Sequence, residues 1–301
     1  MSQKPTIREL IRDTEKRFRR AKLHYGHGTE TALDDAAFLV LRALGLSPAT
    51  DGAELDGPVP PADAARIAAL VDRRVSERIP TAYLLSEAWF AGLPFHVDPR
   101  VLIPRSPFAE LIEERFSPWV REEHVRRVLD IGTGSGCMAV ACALAFPAAT
   151  VDAVDVSPGA LEVAKRNVER HGVGDRVHCI RSDVFDALAG RRYDLIVANP
   201  PYVGAAEYAS LPPEYRHEPR DGLESGADGL DVVRRLLRGA AAHLEPRGVL
   251  IAEVGGSASL LEEAFPRVPF VWAELERGGD GIFILSRDDL VSAFAPGAGS
   301  G

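Results

Sequence analysis

Apolar residues recur at helical spacing in the first part of the chain. This pattern predicts helices over residues 5–23, 33–44 and 62–78, and a segment rich in glycine, proline and aspartate precedes the third helix. Three helices of this size are enough for a small packed unit. We therefore expect a helical amino-terminal domain over residues 1–80.

Short extended segments replace the helical pattern after residue 80. They cover residues 85–90, 94–97 and 101–103, and they are interrupted by Gly92 and by Asp98-Pro-Arg100. Short apolar runs separated by turn residues are typical of a hairpin. The sequence therefore predicts a β-hairpin linker over residues 81–107, followed by a helix over residues 108–116.

Apolar runs alternate with helical segments beyond residue 125. The runs that predict strands are residues 128–131, 151–154, 177–180, 195–198, 249–253, 270–275 and 281–285. Helices are predicted over residues 137–146 and 229–243. Such alternation is typical of a doubly wound, mostly parallel sheet. We therefore expect an α/β domain over residues 108–301, with ligands bound at the carboxyl ends of its strands.

Polar residues follow the first three strands of this domain. The first strand runs into the glycine loop Gly132–Gly136, in which Thr133 and Ser135 separate three glycines. Glycines let the backbone approach a ligand closely, and the next helix start offers free N–H groups. Asp155 follows the second strand, where it is placed to bind ribose hydroxyls. Asp183 follows the third strand, where its carboxylate could accept a hydrogen bond from an adenine amino group. The glycine loop alone would also suit an NAD-binding dehydrogenase.

The fourth strand ends at Asn199-Pro200-Pro201-Tyr202. The two prolines stop the strand and stiffen the loop. The Asn199 side chain and the Pro200 carbonyl then offer two hydrogen-bond acceptors, which can orient both hydrogens of an amide or amino group. Tyr202 can stack on the plane of that group. An ordinary proline-rich turn is the alternative interpretation of the four residues.

The amino-acid composition limits the classes of protein to which the chain can belong. The chain has 301 residues, 46% of them hydrophobic and 26% charged, which is typical of a globular protein with an adequate core. No signal peptide or membrane span is recognisable, and the three cysteines form no Cys-x-x-Cys pair, so we expect a cytoplasmic protein without a structural metal. The net charge of −9 counts against non-specific binding of nucleic acid and suits a basic protein partner.

The Asn199–Tyr202 loop resembles the signature of methyltransferases that use S-adenosylmethionine to modify amino groups. Over nearly the whole chain, the sequence is similar to one family among them, the glutamine methyltransferase of the third large-subunit ribosomal protein. The matching stretches are His24-Tyr-Gly-His-Gly-Thr29, Arg78-Ile-Pro-Thr-Ala-Tyr83, Arg100-Val-Leu-Ile-Pro-Arg-Ser-Pro107, Asp130-Ile-Gly-Thr-Gly-Ser-Gly-Cys137, Leu211-Pro-Pro-Glu-Tyr-Arg-His-Glu-Pro219 and Gly278-Gly-Asp-Gly281. The sister family, which methylates peptide-chain release factors, carries a different sequence after Pro104-Arg105 and lacks the Tyr215–Pro219 form.

The resemblance implies a Rossmann-like class I methyltransferase domain with a seven-stranded sheet and a final antiparallel strand. It places Gly132, Gly134 and Gly136 by the methionine part of S-adenosylmethionine, Asp155 by the ribose, and Asp183 and Val184 near the adenine. It assigns Asn199 and Pro200 to the substrate amide, with Tyr202 packed over it, and it implies no metal.

Three functions remain open at this point. The first is methylation of a glutamine in a large-subunit ribosomal protein, either free or during ribosome assembly, with S-adenosylhomocysteine as product and no specific nucleic acid as partner. The related alternative is the glutamine of a release factor. The second is methylation of an exocyclic amine of a nucleic-acid base. The third is a non-catalytic assembly factor that binds the cofactor, although binding alone does not require an acceptor pair.

Overall fold

The computed structural model describes residues 4–295, so residues 1–3 and 296–301 of the first and last predicted domains lie outside the described residues. Four helices come first: α1 Ile7–Arg20, α2 Ala32–Ala43, α3 Pro61–Ser76 and α4 Thr81–Leu85. Thr6 caps α1 in a reciprocal arrangement with Glu9, which satisfies backbone N–H groups at the helix start. The buried side chains of Phe18, Leu39 and Ile67 pack together, so α1, α2 and α3 have their own core, whereas α4 packs with residues 97–103 and 160–163.

A two-stranded hairpin follows, as the sequence predicts. Strands β1 Ala88–Phe90 and β2 Leu93–Phe95 are antiparallel. Ala91 and Gly92 between them have positive φ values of 47° and 71°, the backbone that a two-residue hairpin turn requires.

Two predictions in this region are wrong. Leu85 lies in α4 instead of a strand, and residues 101–103 form no strand. The backbone of 101–103 is bonded elsewhere: the Val101 carbonyl accepts the Tyr83 hydroxyl, and the Ile103 amide donates to the Glu218 carboxylate at 3.0 Å. Side chains from distant segments therefore replace the neighbouring strand.

The rest of the described chain is built on one seven-stranded sheet. Its strands are β3 Arg127–Ile131, β4 Thr150–Asp155, β5 Val177–Arg181, β6 Tyr193–Ala198, β7 Leu244–Glu253, β8 Val271–Trp272 and β9 Ile282–Ser286. The strand order is β5-β4-β3-β6-β7-β9-β8. The first five strands pair in parallel, and β9 is antiparallel to both β7 and β8. The expected α/β, mostly parallel sheet is confirmed.

Helices cover both faces of the sheet. They are α5 Phe108–Glu113, α6 Cys137–Ala145, α7 Pro158–Arg170, α9 Asp231–His243, α10 Ala258–Ala264 and α11 Arg287–Phe294. A further helix, α8 Ala205–Ser210, follows the end of β6 and buries none of its residues. Along β6, Leu195 and Val197 pack on the side of α5 and α6, whereas Ile196 and Ala198 pack on the side of α9 and α11. Burial on both faces explains why the central strands are continuous apolar runs.

Helix boundaries differ from the predicted ones where local conformation intervenes. The helix expected over residues 108–116 ends at Glu113, because Arg115 and Phe116 have positive φ values of 52° and 56°. Helix α7 is not among the predicted helices, although Ser157 caps it and Pro158 occupies its first turn. Among residues 4–295, no helix combines the length and the apolar character needed to cross a bilayer.

Candidate active site

The glycine loop lies directly after β3, at the carboxyl edge of the sheet. Gly132, Gly134 and Gly136 have φ values of 73°, 53° and 78°, which side chains other than glycine rarely tolerate. Apart from its two chain neighbours, the atom of residues 4–295 within 4 Å of a Cβ on Gly132 would be the Asn199 carbonyl oxygen, at 3.7 Å, and of one on Gly134 the Gly132 carbonyl oxygen, at 3.9 Å. The space that side chains would enter at Gly132 and Gly134 therefore holds few protein atoms and borders the end of β6, whereas Gly136 is tightly packed against Ala164 of α7.

A buried carboxylate is hydrogen-bonded to the glycine loop and to the helix that follows it. Asp130 is 1% exposed, and its Oδ2 accepts hydrogen bonds from the Thr133 hydroxyl at 2.6 Å and the Ala139 amide at 3.1 Å. Burial raises the pKa of Asp130 to about 7. Asn167 of α7 supports the loop from the side, because its amide nitrogen donates to the carbonyls of Ser135 and His96. Sequence reasoning missed the roles of both Asp130 and Asn167.

Asp155, at the end of β4, is hydrogen-bonded to the glycine loop. Its Oδ2 accepts a hydrogen bond from the Gly134 amide at 2.9 Å, and its Oδ1 accepts one from the Ser157 amide at 2.9 Å. Burial raises the pKa of this carboxyl, although the backbone hydrogen bonds oppose the shift. The structure thus places Asp155 against the glycine loop, with its side chain oriented by two backbone donors.

Asp183 and Val184 follow β5 on the same edge. The Asp183 carboxylate is half-exposed and accepts a hydrogen bond at 2.7 Å from Arg235 of α9. Val184 is buried and has a φ of 51°, an unusual conformation for a β-branched residue. Unusual backbone conformations concentrate at functional sites, where surrounding structure holds them.

The loop after β6 presents the predicted acceptor pair. Asn199 is half-buried, and within residues 4–295 its side-chain amide and the Pro200 carbonyl have no hydrogen-bond partner. Tyr202 is held more firmly, since its hydroxyl donates to the Glu253 carboxylate at 3.0 Å. Burial beside that carboxylate raises the pKa of the Tyr202 phenol. Gly229 meets this loop closely, because a Cβ on it would lie 2.2 Å from the Tyr202 carbonyl oxygen.

Comparisons with known proteins agree on the kind of enzyme. Residues 9–85 match the PrmC N-terminal domain family, and residues 114–211 match the Methyltransferase small domain family. Ribosomal protein uL3 glutamine methyltransferase from Bordetella pertussis is 49% identical over 95% of this chain and 96% of its own. The protein of the same name from Neisseria meningitidis is 46% identical over 95% of this chain and 94% of its own.

The chain belongs to the ribosomal protein uL3 glutamine methyltransferase family. Its fold is also that of solved methyltransferases. The hMettl16 catalytic domain, solved with an RNA hairpin, superimposes with a TM-score of 0.51 over 79% of this chain and 85% of that chain. The sequence identity is 18%, so this likeness concerns the fold alone.

Residues from four of the stretches that match the family lie together with Arg74 in one cluster of polar side chains, which we call the interdomain cluster: His24, His27, Arg74, Arg78, Arg105, Glu214, Tyr215 and Glu218. Arg105 donates to both oxygens of the Glu218 carboxylate, at 2.6 and 2.9 Å. The His27 ring lies 4.5 Å from the Tyr215 ring, between centroids. Glu214 is completely buried and accepts hydrogen bonds from the His24 amide and the Arg78 guanidinium, both at 3.0 Å. The helical region is thus bonded to the segment that follows the Asn199–Tyr202 loop.

Proposed function

We propose that the protein transfers a methyl group from S-adenosylmethionine to the side-chain amide nitrogen of a glutamine in ribosomal protein uL3, leaving S-adenosylhomocysteine. The methyl group replaces one amide hydrogen, which is released as a proton. The identity of 46–49% over 95% of the chain to enzymes named for that reaction carries the proposal. The acceptors at Asn199 and Pro200, which have no hydrogen-bond partner in the described part of the chain, support it on chemical grounds, since they lie beside the glycine loop. We place the reaction in the cytoplasm, on the free ribosomal protein or during assembly of the large subunit.

The residues at the sheet edge fit the cofactor. Gly132, Thr133, Gly134, Ser135 and Gly136 would hold the methionine part, because the space that a Cβ on Gly132 or Gly134 would enter holds few protein atoms within residues 4–295. Asp155 would accept hydrogen bonds from the ribose, since carboxylate oxygens can accept more than the one backbone donor each already has. Asp183 and Val184 would lie near the adenine. When bound, the cofactor supplies the methyl group as an electrophile.

The Asn199–Tyr202 loop would prepare the glutamine amide for attack. An amide nitrogen is a poor nucleophile because its lone pair is delocalised, as the peptide rotation barrier of roughly 18–20 kcal/mol shows. The Asn199 side-chain oxygen and the Pro200 carbonyl would each accept one amide hydrogen, which orients the nitrogen towards the methyl group. Pro201 keeps the loop stiff, and Tyr202 would pack over the amide plane. Because positive charge develops on the nitrogen during transfer, these acceptors would act most strongly in the transition state.

We also propose a division of labour along the chain. Residues 1–80 would recognise the ribosomal protein, residues 81–107 would act as the linker, and residues 108–301 would carry out the transfer. The helical region supports this assignment because it has its own core and lies outside the glycine loop and the Asn199–Tyr202 loop. The hydrogen bonds from His24 and Arg78 of the helical region to Glu214 would hold a recognised substrate near the carboxyl edge of the sheet.

Mass spectrometry on purified substrates tests the function. The enzyme and S-adenosylmethionine are incubated separately with ribosomal protein uL3, with a peptide-chain release factor and with RNA and DNA oligonucleotides. We expect one added methyl group on a glutamine of uL3 alone, and fragmentation to locate it on the side-chain amide. Methylation of the release factor or of a base, with uL3 unmodified, would refute the proposal.

A further inference from the structure

Glu253 is a buried carboxylate at the end of β7 that the proposed chemistry does not use. It is 5% exposed, and both of its oxygens have partners. One accepts the Tyr202 hydroxyl at 3.0 Å, and the other accepts the Ser106 hydroxyl at 2.5 Å. Burial raises the pKa of the carboxyl, although its two hydrogen bonds and the nearby Arg105 oppose that shift. Glu253 therefore joins the Asn199–Tyr202 loop to the linker.

The surroundings of Tyr202 leave its ring little freedom. A Cβ on Gly255 would lie 2.8 Å from Cε2 of that ring, so the ring rests directly on the backbone after β7. The Ser257 hydroxyl donates to the Tyr202 carbonyl at 3.3 Å. The hydrogen bond to Glu253 adds a fixed point at the far end of the ring. Together these contacts determine where the aromatic plane stands relative to Asn199, three residues earlier.

We propose that Glu253 is a positioning residue for methyl transfer, acting through the Tyr202 ring and, by way of Ser106, through the linker. The proposal rests on the proposed function, because it concerns the same site. We assign Glu253 no direct contact with the substrate, because only 5% of the residue is exposed and both of its oxygens face the side chains of Ser106 and Tyr202. Its effect should therefore be on the orientation of the amide in the transition state, and not on cofactor binding.

The test compares Glu253→Gln with a matched control on the same sheet. Asp152 of β4 is also a buried carboxylate, and it accepts the Tyr193 hydroxyl at 2.7 Å at the other end of β6. We expect Glu253→Gln to lower kcat on uL3 about tenfold, with KM and cofactor affinity nearly unchanged. Asp152→Asn should lower stability and leave kcat alone. A parallel loss of kcat in both variants would mean that the role of Glu253 is merely structural, and it would overturn the proposal.

A double variant separates the route of action. Tyr202→Phe removes the hydroxyl that Glu253 orients, so adding Glu253→Gln should lower kcat by less than it does in the wild type. Additive losses would show that Glu253 does not act through Tyr202. Failure of the wild-type enzyme to methylate uL3 would instead refute the proposed function.

An activity-independent measurement keeps the inference testable in that case. In protein with ¹³C-labelled tyrosine, the ring signal absent from Tyr202→Phe identifies Tyr202. That signal should shift in Glu253→Gln and stay in place in Asp152→Asn. An unmoved Tyr202 signal in Glu253→Gln would overturn the proposal whatever the substrate is.

Discussion

Replacing His27 by glutamine should reduce the loss of folding stability that the enzyme undergoes between pH 7 and pH 5. His27 is 6% exposed, and neither ring nitrogen has a hydrogen-bond partner within residues 4–295. Burial, with the charges of Arg105 and Arg74, lowers the pKa of His27 from 6.5 to about 3. The Glu218 carboxylate lies 3.6 Å from Nε2, but it is already shared by Arg105 and the Ile103 amide. The folded protein therefore keeps this ring neutral.

The size of the effect follows from proton linkage. Below pH 6.5 the unfolded chain binds a proton at His27 and the folded chain does not, until the pH approaches 3. The free energy of unfolding is therefore not reduced by His27 above pH 6.5, and it falls as the pH drops below that value. Each pH unit in this window is worth about 1.4 kcal/mol, so the loss between pH 7 and pH 5 is about 2 kcal/mol. Because pH 5 lies well above 3, the result depends little on the folded pKa.

Urea unfolding at pH 7 and pH 5 measures this contribution. The free energy of unfolding of the wild type should fall about 2 kcal/mol more between the two pH values than that of His27→Gln. The same substitution at His124, an exposed histidine outside the interdomain cluster, is the matched control for the loss of an imidazole. Equal losses in the wild type and His27→Gln would show that the ring is not kept neutral by folding.

Three further outcomes follow from the site. Asn199→Ala should lower kcat on the order of 10²–10³-fold in single-turnover assays, with much less effect on cofactor affinity, and Asn199→Asp should fall between alanine and wild type. A near-wild-type rate for Asn199→Ala would remove it from catalysis. Asp155→Ala should weaken S-adenosylmethionine binding by about 1.5–3 kcal/mol in calorimetry, and unchanged affinity would exclude it from the site. Gly229→Ala should abolish most activity, because its Cβ would lie 2.2 Å from the Tyr202 carbonyl oxygen. Gly190→Ala has a similar φ and, among residues 4–295, no atom within 4 Å of its Cβ, so it should cost only about 1–2 kcal/mol of stability, and equal activities of the two variants would contradict this.

The central strands could be predicted from the sequence because they are buried on both faces. Runs such as residues 195–198 stay apolar at every position, and the observed strand β6 extends this run only by two residues at its start. The segment 101–103 shows where this reasoning fails. Its apolar residues resemble a strand, yet its backbone groups bond to Tyr83 and Glu218. Only the folded chain brings those partners to it.

The same distinction applies to the site. The glycine loop and the Asn199–Tyr202 loop are each a continuous segment of the chain. Their backbone conformation depends largely on neighbouring residues, so it could be predicted from the sequence. The positions of Glu218 and Glu253 could not, because their partners Arg105 and Ser106 lie 113 and 147 residues away along the chain. A buried glutamate at the end of an apolar strand was the one available signal for Glu253, since isolated buried carboxylates are costly and need donors.

The interdomain cluster limits how substrate recognition can be separated from catalysis. Glu214 lies outside the helical region, but Arg78, which donates to it, and Arg74, 3.8 Å away, both lie within residues 1–80. Deleting residues 1–80 would expose Glu214 and remove its hydrogen bonds to His24 and Arg78. Replacing Arg74 and Arg78 in the full chain would instead leave a fully buried carboxylate without its cationic partners, which typically costs about 3–5 kcal/mol. That is a large part of the 5–15 kcal/mol that holds a typical protein folded. Loss of activity in a truncated chain would therefore report damage to the segment after the Asn199–Tyr202 loop as much as loss of recognition. The role proposed for the helical region is separable only by substitutions on its exposed surface that leave Arg74, Arg78 and Glu214 in place.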